Sequence, residues 1–192
     1  MASRGATNDW LVGDRRAAAA ERIYAAATEL IARDGIAAFD MAALEARVHC
    51  SRATIYRHVG GKAQIRDAVL ARNAERIVEA VRAAVDGMTG PDRIVTAVTV
   101  ALERIRADPL GQALITSTRA ASEMAWIVDS PMTRALASEL NGLAEDALAA
   151  QWIVRVVLSL LYWPVVDPAA EREMIRRFVT DGQPAPLPLS TR

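Results

Sequence analysis

The chain has 192 residues, 52% of them apolar, with 23 basic and 23 acidic side chains. That size suits one large domain or a small domain joined to a larger one, and either buries a real core. A net charge of zero excludes binding to nucleic acid by bulk charge, and the single cysteine excludes an internal disulfide framework.

The opening residues MASRGATNDWLVGD lack the apolar core of a secretory signal, so a cytoplasmic protein is expected, with residues 1–14 as a flexible arm. From there apolar side chains recur every three or four positions without an alternating stretch, which predicts an all-α fold. Asp14 is placed to cap a first helix through Arg33, with Ile23, Ala27, Leu30 and Ile31 on one stripe and Asp34-Gly35 as its stop. Asp40 is placed to cap a short second helix that turns Met41, Leu44 and Val48 inward. Ser51 is placed to cap a third, RATIYRHV, ended by Gly60-Gly61. A fourth is expected from Lys62 to about Val85, with Ile65, Val69, Ile77, Val81 and Val85 on its buried side.

Pro91 suits the first turn of a helix through Arg106, and Asp108-Pro109 breaks the chain again. Further helices are expected over Leu110 to Val128, Met132 to Leu143, Ala144 to Trp163 and Pro168 to Thr180, the last capped by Asp167. Residues 182–192 are interrupted by prolines and read as a flexible tail. The most apolar run, WIVRVVLSLLYWPVV, is too short to cross a bilayer, contains Arg155 and breaks at Pro164, so no membrane partner is expected.

Charge is distributed unevenly. From Ala46 to Arg66 there are five cations (Arg47, Arg52, Arg57, Lys62, Arg66), two histidines and no carboxylate, and Lys62 is the one lysine in the chain. Two short helices joined by a tight turn, the second flanked by cations, have the form of a helix-turn-helix, which lays its second helix in the DNA major groove. Residues 15 to 70, above all FDMAALEARVHCSRATIYRHVGGKAQIRDAVL, resemble the N-terminal domain of the TetR family of transcriptional regulators. The match lies in Ser51, Thr54, Tyr56 and Lys62 at the S-x-x-T-x-Y-x-x-x-x-x-K spacing and in the preceding helix.

The resemblance implies a DNA-binding domain over 15–61, a helical ligand-binding and dimerisation domain over 62–181, and a double-stranded DNA operator as partner. It implies that Thr54, Tyr56 and Lys62 hold phosphates while Arg52 and Ala53 face base edges, with Ser51 as cap. Lys62 would stand where the free N–H groups of a helix start already favour an anion. Arg57 and His58 are placed to add backbone or base contacts, roles that the resemblance itself does not assign to them. Against the family pattern, His49 replaces the turn glycine and so calls for a left-handed backbone, which histidine tolerates better than a branched residue. Val48 stands where alanine is usual and Val59 where an aromatic is usual. Glu45 also replaces alanine, and it must reach water or pair with a neighbour such as Arg47 or Arg22.

In the larger domain, Leu102, Leu114, Thr116, Met124, Trp126, Ile127, Met132, Leu136, Trp152 and Trp163 offer an apolar and aromatic lining, with Arg119 or Arg155 as polar exceptions. An apolar small-molecule effector is expected, although each residue also suits ordinary core packing. The last two helices resemble the pair with which the family builds a homodimer, and Val156, Val157, Leu160 and Leu161 are the expected interface. There is no Ser-His-Asp arrangement, nucleotide loop or H-E-x-x-H helix, so neither an enzyme nor a cofactor is expected. His49, Cys50 and His58 lack a spaced fourth partner for a metal, and Cys50 reads as a small core hydrophobe. The function expected is a ligand-responsive repressor on a palindromic operator. The alternative is a helical ligand-binding or structural protein with a degenerate helix-turn-helix.

Overall fold

A computed structural model of the chain describes residues 9–116, 131–142 and 146–180, and all regular structure in them is helical. The chain divides into two compact units, the first holding described residues 9–74 and 109–116 and the second 75–108, 131–142 and 146–180. Helix α4 (Lys62–Ala84) belongs to the first up to Ala74 and to the second from Glu75.

The first unit is built from α1 (Asp9–Asp34), α2 (Met41–Val48), α3 (Arg52–Val59), the start of α4 and α6 (Pro109–Thr116). Local signals set its boundaries. Gly35, at φ 85°, ends α1 and donates its N–H to Ile31 O at 2.9 Å. The Asp40 carboxylate accepts from Ala42 N at 3.0 Å and Ala43 N at 3.3 Å, satisfying two of the amides a helix start leaves bare. The expected inward faces of these helices meet: Ile23, Ala27, Leu30 and Ile31 of α1 pack with Phe39, Met41, Leu44, Ile55, Ile65 and Leu110. Each aliphatic side chain so buried contributes about 1.5 to 3 kcal/mol of transfer free energy.

Helix α1 starts at Asp9, upstream of the cap expected at Asp14. Propagating an existing helix costs far less than nucleating one, and the run Ala17 to Ala20 with its charged neighbours favours the helical state strongly enough to carry it through Gly13. Arg72 of α4 clasps α1 by donating to both Glu21 oxygens, at 2.7 and 2.5 Å, with its guanidinium 4.1 Å from the centre of the Tyr24 ring.

The second unit contains the rest of α4, α5 (Gly90–Ala107), α7 (Pro131–Asn141), α8 (Ala147–Tyr162) and α9 (Pro168–Ile175), which continues as a π-helical turn over Arg176–Thr180. Pro91 lies in the first turn of α5 as expected. Of the helix expected over Leu110 to Val128, Pro109–Thr116 is observed, and the remainder lies outside the described residues. The start expected at Ala144 moves to Ala147 because Asp146 caps α8, accepting from Ala149 N at 2.8 Å.

Two arginines tie this unit together. Arg93 donates to Val85 O and Met88 O at 3.1 Å and to Glu139 O at 3.0 Å, adding a donor to Val85 O and Glu139 O beside the backbone N–H groups of Met88 and Gly142 that they already accept. Arg106 donates to both Glu171 oxygens and to Leu160 O, each at 2.8 Å, joining α5 to α8 and α9. Glu171 is 7% exposed; hydrogen bonds from Arg106 hold its carboxyl below the ordinary glutamate range against the opposing effect of burial.

Candidate nucleic-acid interface

The turn between α2 and α3 rests on two backbone solutions. His49 adopts φ 54°, ψ 38°, the left-handed conformation that the missing glycine called for. Ser51 is extended, and its Oγ accepts from Thr54 N at 3.3 Å while lying 3.0 Å from Thr54 Oγ1. Helix α3 then buries Ile55 and Val59 against the core and turns Arg52, Ala53, Tyr56 and Arg57 to solvent, with Thr54 and His58 half-buried. His58 Nδ1 is buried without a hydrogen-bond partner among the described residues.

The Gly-Gly pair after α3 has a different reason at each position. Gly60 has φ 83°, which a side chain rarely adopts. At Gly61 a Cβ would come within 3.0 Å of the Tyr56 ring, so the absence of one lets the chain pass close to that ring. The Gly61 N–H also donates to Gln64 Oε1 at 2.7 Å, the reciprocal half of a capping box, which fixes the first turn of α4 and exposes Lys62 there.

Folding neutralises part of the cationic stretch with carboxylates from elsewhere. Arg47 pairs with Glu29, Arg66 with Asp67 at 3.5 Å, and Arg52 with Glu45 at 2.6 Å. Arg57 and Lys62 form no ion pair with any described residue. Glu45 therefore chooses neither Arg47 nor Arg22, because Arg52, the first residue of α3, lies within reach of its carboxylate. The hydrogen bond that Arg52 donates to the Glu45 carboxylate raises the Arg52 pKa above the ordinary arginine value.

The family model described as "Bacterial regulatory proteins, tetR family" matches residues 23–69, from the second half of α1 to the first turns of α4. Two proteins named as uncharacterized HTH-type transcriptional regulators, from Mycobacterium tuberculosis strains CDC 1551 / Oshkosh and ATCC 25618 / H37Rv, are each 34% identical over 183 residues, covering 91% of this chain and 90% of theirs. The chain belongs to the tetR family of bacterial regulatory proteins. It is a DNA-binding transcriptional regulator of the helix-turn-helix type.

The residues expected to line an effector cavity in this tetR-family regulator are divided between the two units, Leu114 and Thr116 in the first and Leu102, Leu136, Trp152 and Trp163 in the second. Leu102 is a core residue at 1% exposure, Thr116 is exposed with its hydroxyl donating to Gln112 O at 2.8 Å, and Leu136 is half-buried. Met124, Trp126, Ile127, Arg119 and the side chains of Leu114 and Met132 lie outside the described residues. Trp152 and Trp163 are exposed, at 58% and 75%. Trp152 instead lines a shallow groove with Arg155, Val156, Leu160, Met174 and Phe178.

The expected interface residues are also redistributed. Leu160 and Leu161 are buried within the chain, where α5 packs on α8 and Arg106 of α5 donates to Leu160 O, and Val156 and Val157 are half-buried. The large apolar side chains that α8 and the described segment after it leave uncovered are Leu148, Trp152, Trp163, Val166, Met174 and Phe178. Helical spacing alone gave Met174 and Phe178 no special standing, since their face depends on what packs behind it. No helix among the described residues is long and apolar enough to cross a membrane.

Proposed function

We propose that this tetR-family regulator is a cytoplasmic repressor that binds a palindromic operator as a homodimer and releases it when an apolar small molecule binds. The observation that carries the operator reading is the solvent face of α3 and the start of α4. There Arg52, Ala53, Tyr56, Arg57 and Lys62 stand exposed in sequence order around a buried Ile55 and Val59. In this reading Arg52 and Ala53 meet base edges, while Thr54, Tyr56, Lys62 and the half-exposed His58 grip the backbone, and Ser51 holds the helix start. Arg57 and Lys62, having no carboxylate partner among the described residues, are available to phosphates.

Homodimerisation is supported by the uncovered apolar row Leu148, Trp152, Met174 and Phe178, more aromatic surface than a monomer usually leaves in water. Two-fold symmetry then sets two copies of α3 about one DNA turn apart. Residues 15–61 act as the operator-binding domain and 62–181 as the effector and dimer domain. Leu102, Leu114, Thr116, Met124, Trp126 and Ile127 are the residues nearest in character to an apolar effector, a long-chain acyl compound or a hydrophobic drug.

The test is selection of genomic fragments by the purified protein at moderate salt, followed by effector titration with and without the selected duplex. One enriched palindrome, and an effector that binds about 5- to 150-fold more weakly to the DNA complex, are expected. No enrichment would leave a helical ligand-binding or structural protein, and tighter effector binding on DNA would make the ligand a co-repressor.

A further inference from the structure

Glu45 lies on α2 and Arg52 opens α3, so their hydrogen bond, Nε to Oε1 at 2.6 Å, spans the two helices of the helix-turn-helix. Both side chains stay accessible, at 56% for Arg52 and 30% for Glu45. An arginine presents five N–H groups in a rigid planar fork. With Nε turned to Glu45, the terminal pair Nη1 and Nη2 remains, a spacing that matches O6 and N7 of guanine. An arginine without this anchor has a flexible stem and meets any phosphate nearby as readily as a base. An anion on a DNA-facing surface also repels every phosphate, whatever the sequence.

We propose that Glu45 is a specificity-determining positioning residue: it holds Arg52 end-on toward a guanine of the half-site and, by its own charge, weakens attachment to all other sequences. The proposal rests on α3 being the base-reading helix. Glu45 thus trades general affinity for discrimination, and its effect passes through Arg52 without a base contact of its own.

The experiment uses the full-length protein and a randomised half-site library, comparing wild type with Glu45→Gln, Arg52→Ala, Arg52→Lys and the Glu45→Gln/Arg52→Ala pair, and measures affinity against salt. Glutamine keeps the length and helix preference of glutamate, so folding is retained. Glu45→Gln is expected to lower discrimination about fivefold or more at the same base pair that Arg52→Ala relaxes, with the double variant within about twofold of Arg52→Ala. Binding to sequences without that guanine should tighten, with a salt slope steeper by about one unit. Arg52→Lys, which keeps the charge and loses the fork, should lose the discrimination as well.

Unchanged discrimination in Glu45→Gln overturns the proposal. A changed preference at a different base pair does so too, because Glu45 would then read a cytosine itself, and so does an equal loss for all sequences. If wild type enriches no sequence at all, the operator reading falls and this proposal falls with it.

Discussion

His49 carries a full imidazole at φ 54°, in a region where only glycine is unstrained. Histidine bears the strain at modest cost, but a β-branched side chain there crowds its own backbone. His49→Val should therefore destabilise the protein by about 1 to 2 kcal/mol, read from the midpoint of urea unfolding, whereas His49→Gly should not. Lys62 supplies the contrasting case, a residue whose removal costs little stability and much DNA affinity. Lys62→Ala should weaken binding to all duplexes alike and flatten the salt dependence by about one unit, and an unchanged slope would show that the ammonium meets no phosphate. Caps such as Asp40 and Ser51 were legible in the sequence because each bonds an amide two or three residues away. The partner of Glu45 was not, because Arg52 comes near it only after the chain turns at a left-handed His49.

Helices show the same division between local and distant causes. Helix α3 is only eight residues long, below the length at which an isolated helix holds in water, so its shape depends on the Ser51 cap and on Ile55 and Val59 in the core. Ile55→Ala, at a position with 0% exposure, should cost about 2 to 5 kcal/mol and lower operator affinity through loss of the folded reader. The sequence pointed to Ala53 with either Ile55 or Tyr56 against the preceding helix; only Ile55 is buried, and Ala53 and Tyr56 face solvent, because eight residues carry too little periodicity to fix one face. The start of α1 was not legible, since helix propagation overrode a good cap residue at Asp14.

Joining α5 to α9, the Arg106–Glu171 pair makes a pH-dependent contribution. Its folded carboxyl titrates below its unfolded value, so the stabilisation is present above the unfolded pKa and is lost as pH falls through the folded one. Arg106→Met leaves Glu171 buried without its partner and should cost about 3 kcal/mol near neutral pH. The orphaned carboxyl then prefers its proton, and the deficit should shrink as pH falls toward 4, checked by urea unfolding across that range.

At the scale of the molecule, the sequence announced an all-α regulator because helical periodicity and one motif are both short-range signals. It was less clear about which apolar residues face outward, a property set by neighbouring helices. Leu160 and Trp152 lie on the same helix and look equally suited to an interface, yet they are 8% and 58% exposed. A charge at Leu160 would thus attack the core, whereas Phe178→Glu, at 67% exposure, should leave the fold intact and turn a sedimenting homodimer into a monomer with greatly weakened operator binding. A wild type that sediments as a monomer at micromolar concentration would remove the dimer from the mechanism.

The exposed position of Lys62 in the first turn of α4 has a practical sequel. A lysine-specific protease finds a single peptide bond to cut in the entire chain, Lys62–Ala63, and helix starts fray more readily than helix middles. Scission there parts the helix-turn-helix from everything that follows it in covalent sequence. Digestion of the native protein thereby becomes a clock with one hand, running freely in solution and stopped wherever a duplex covers the lysine.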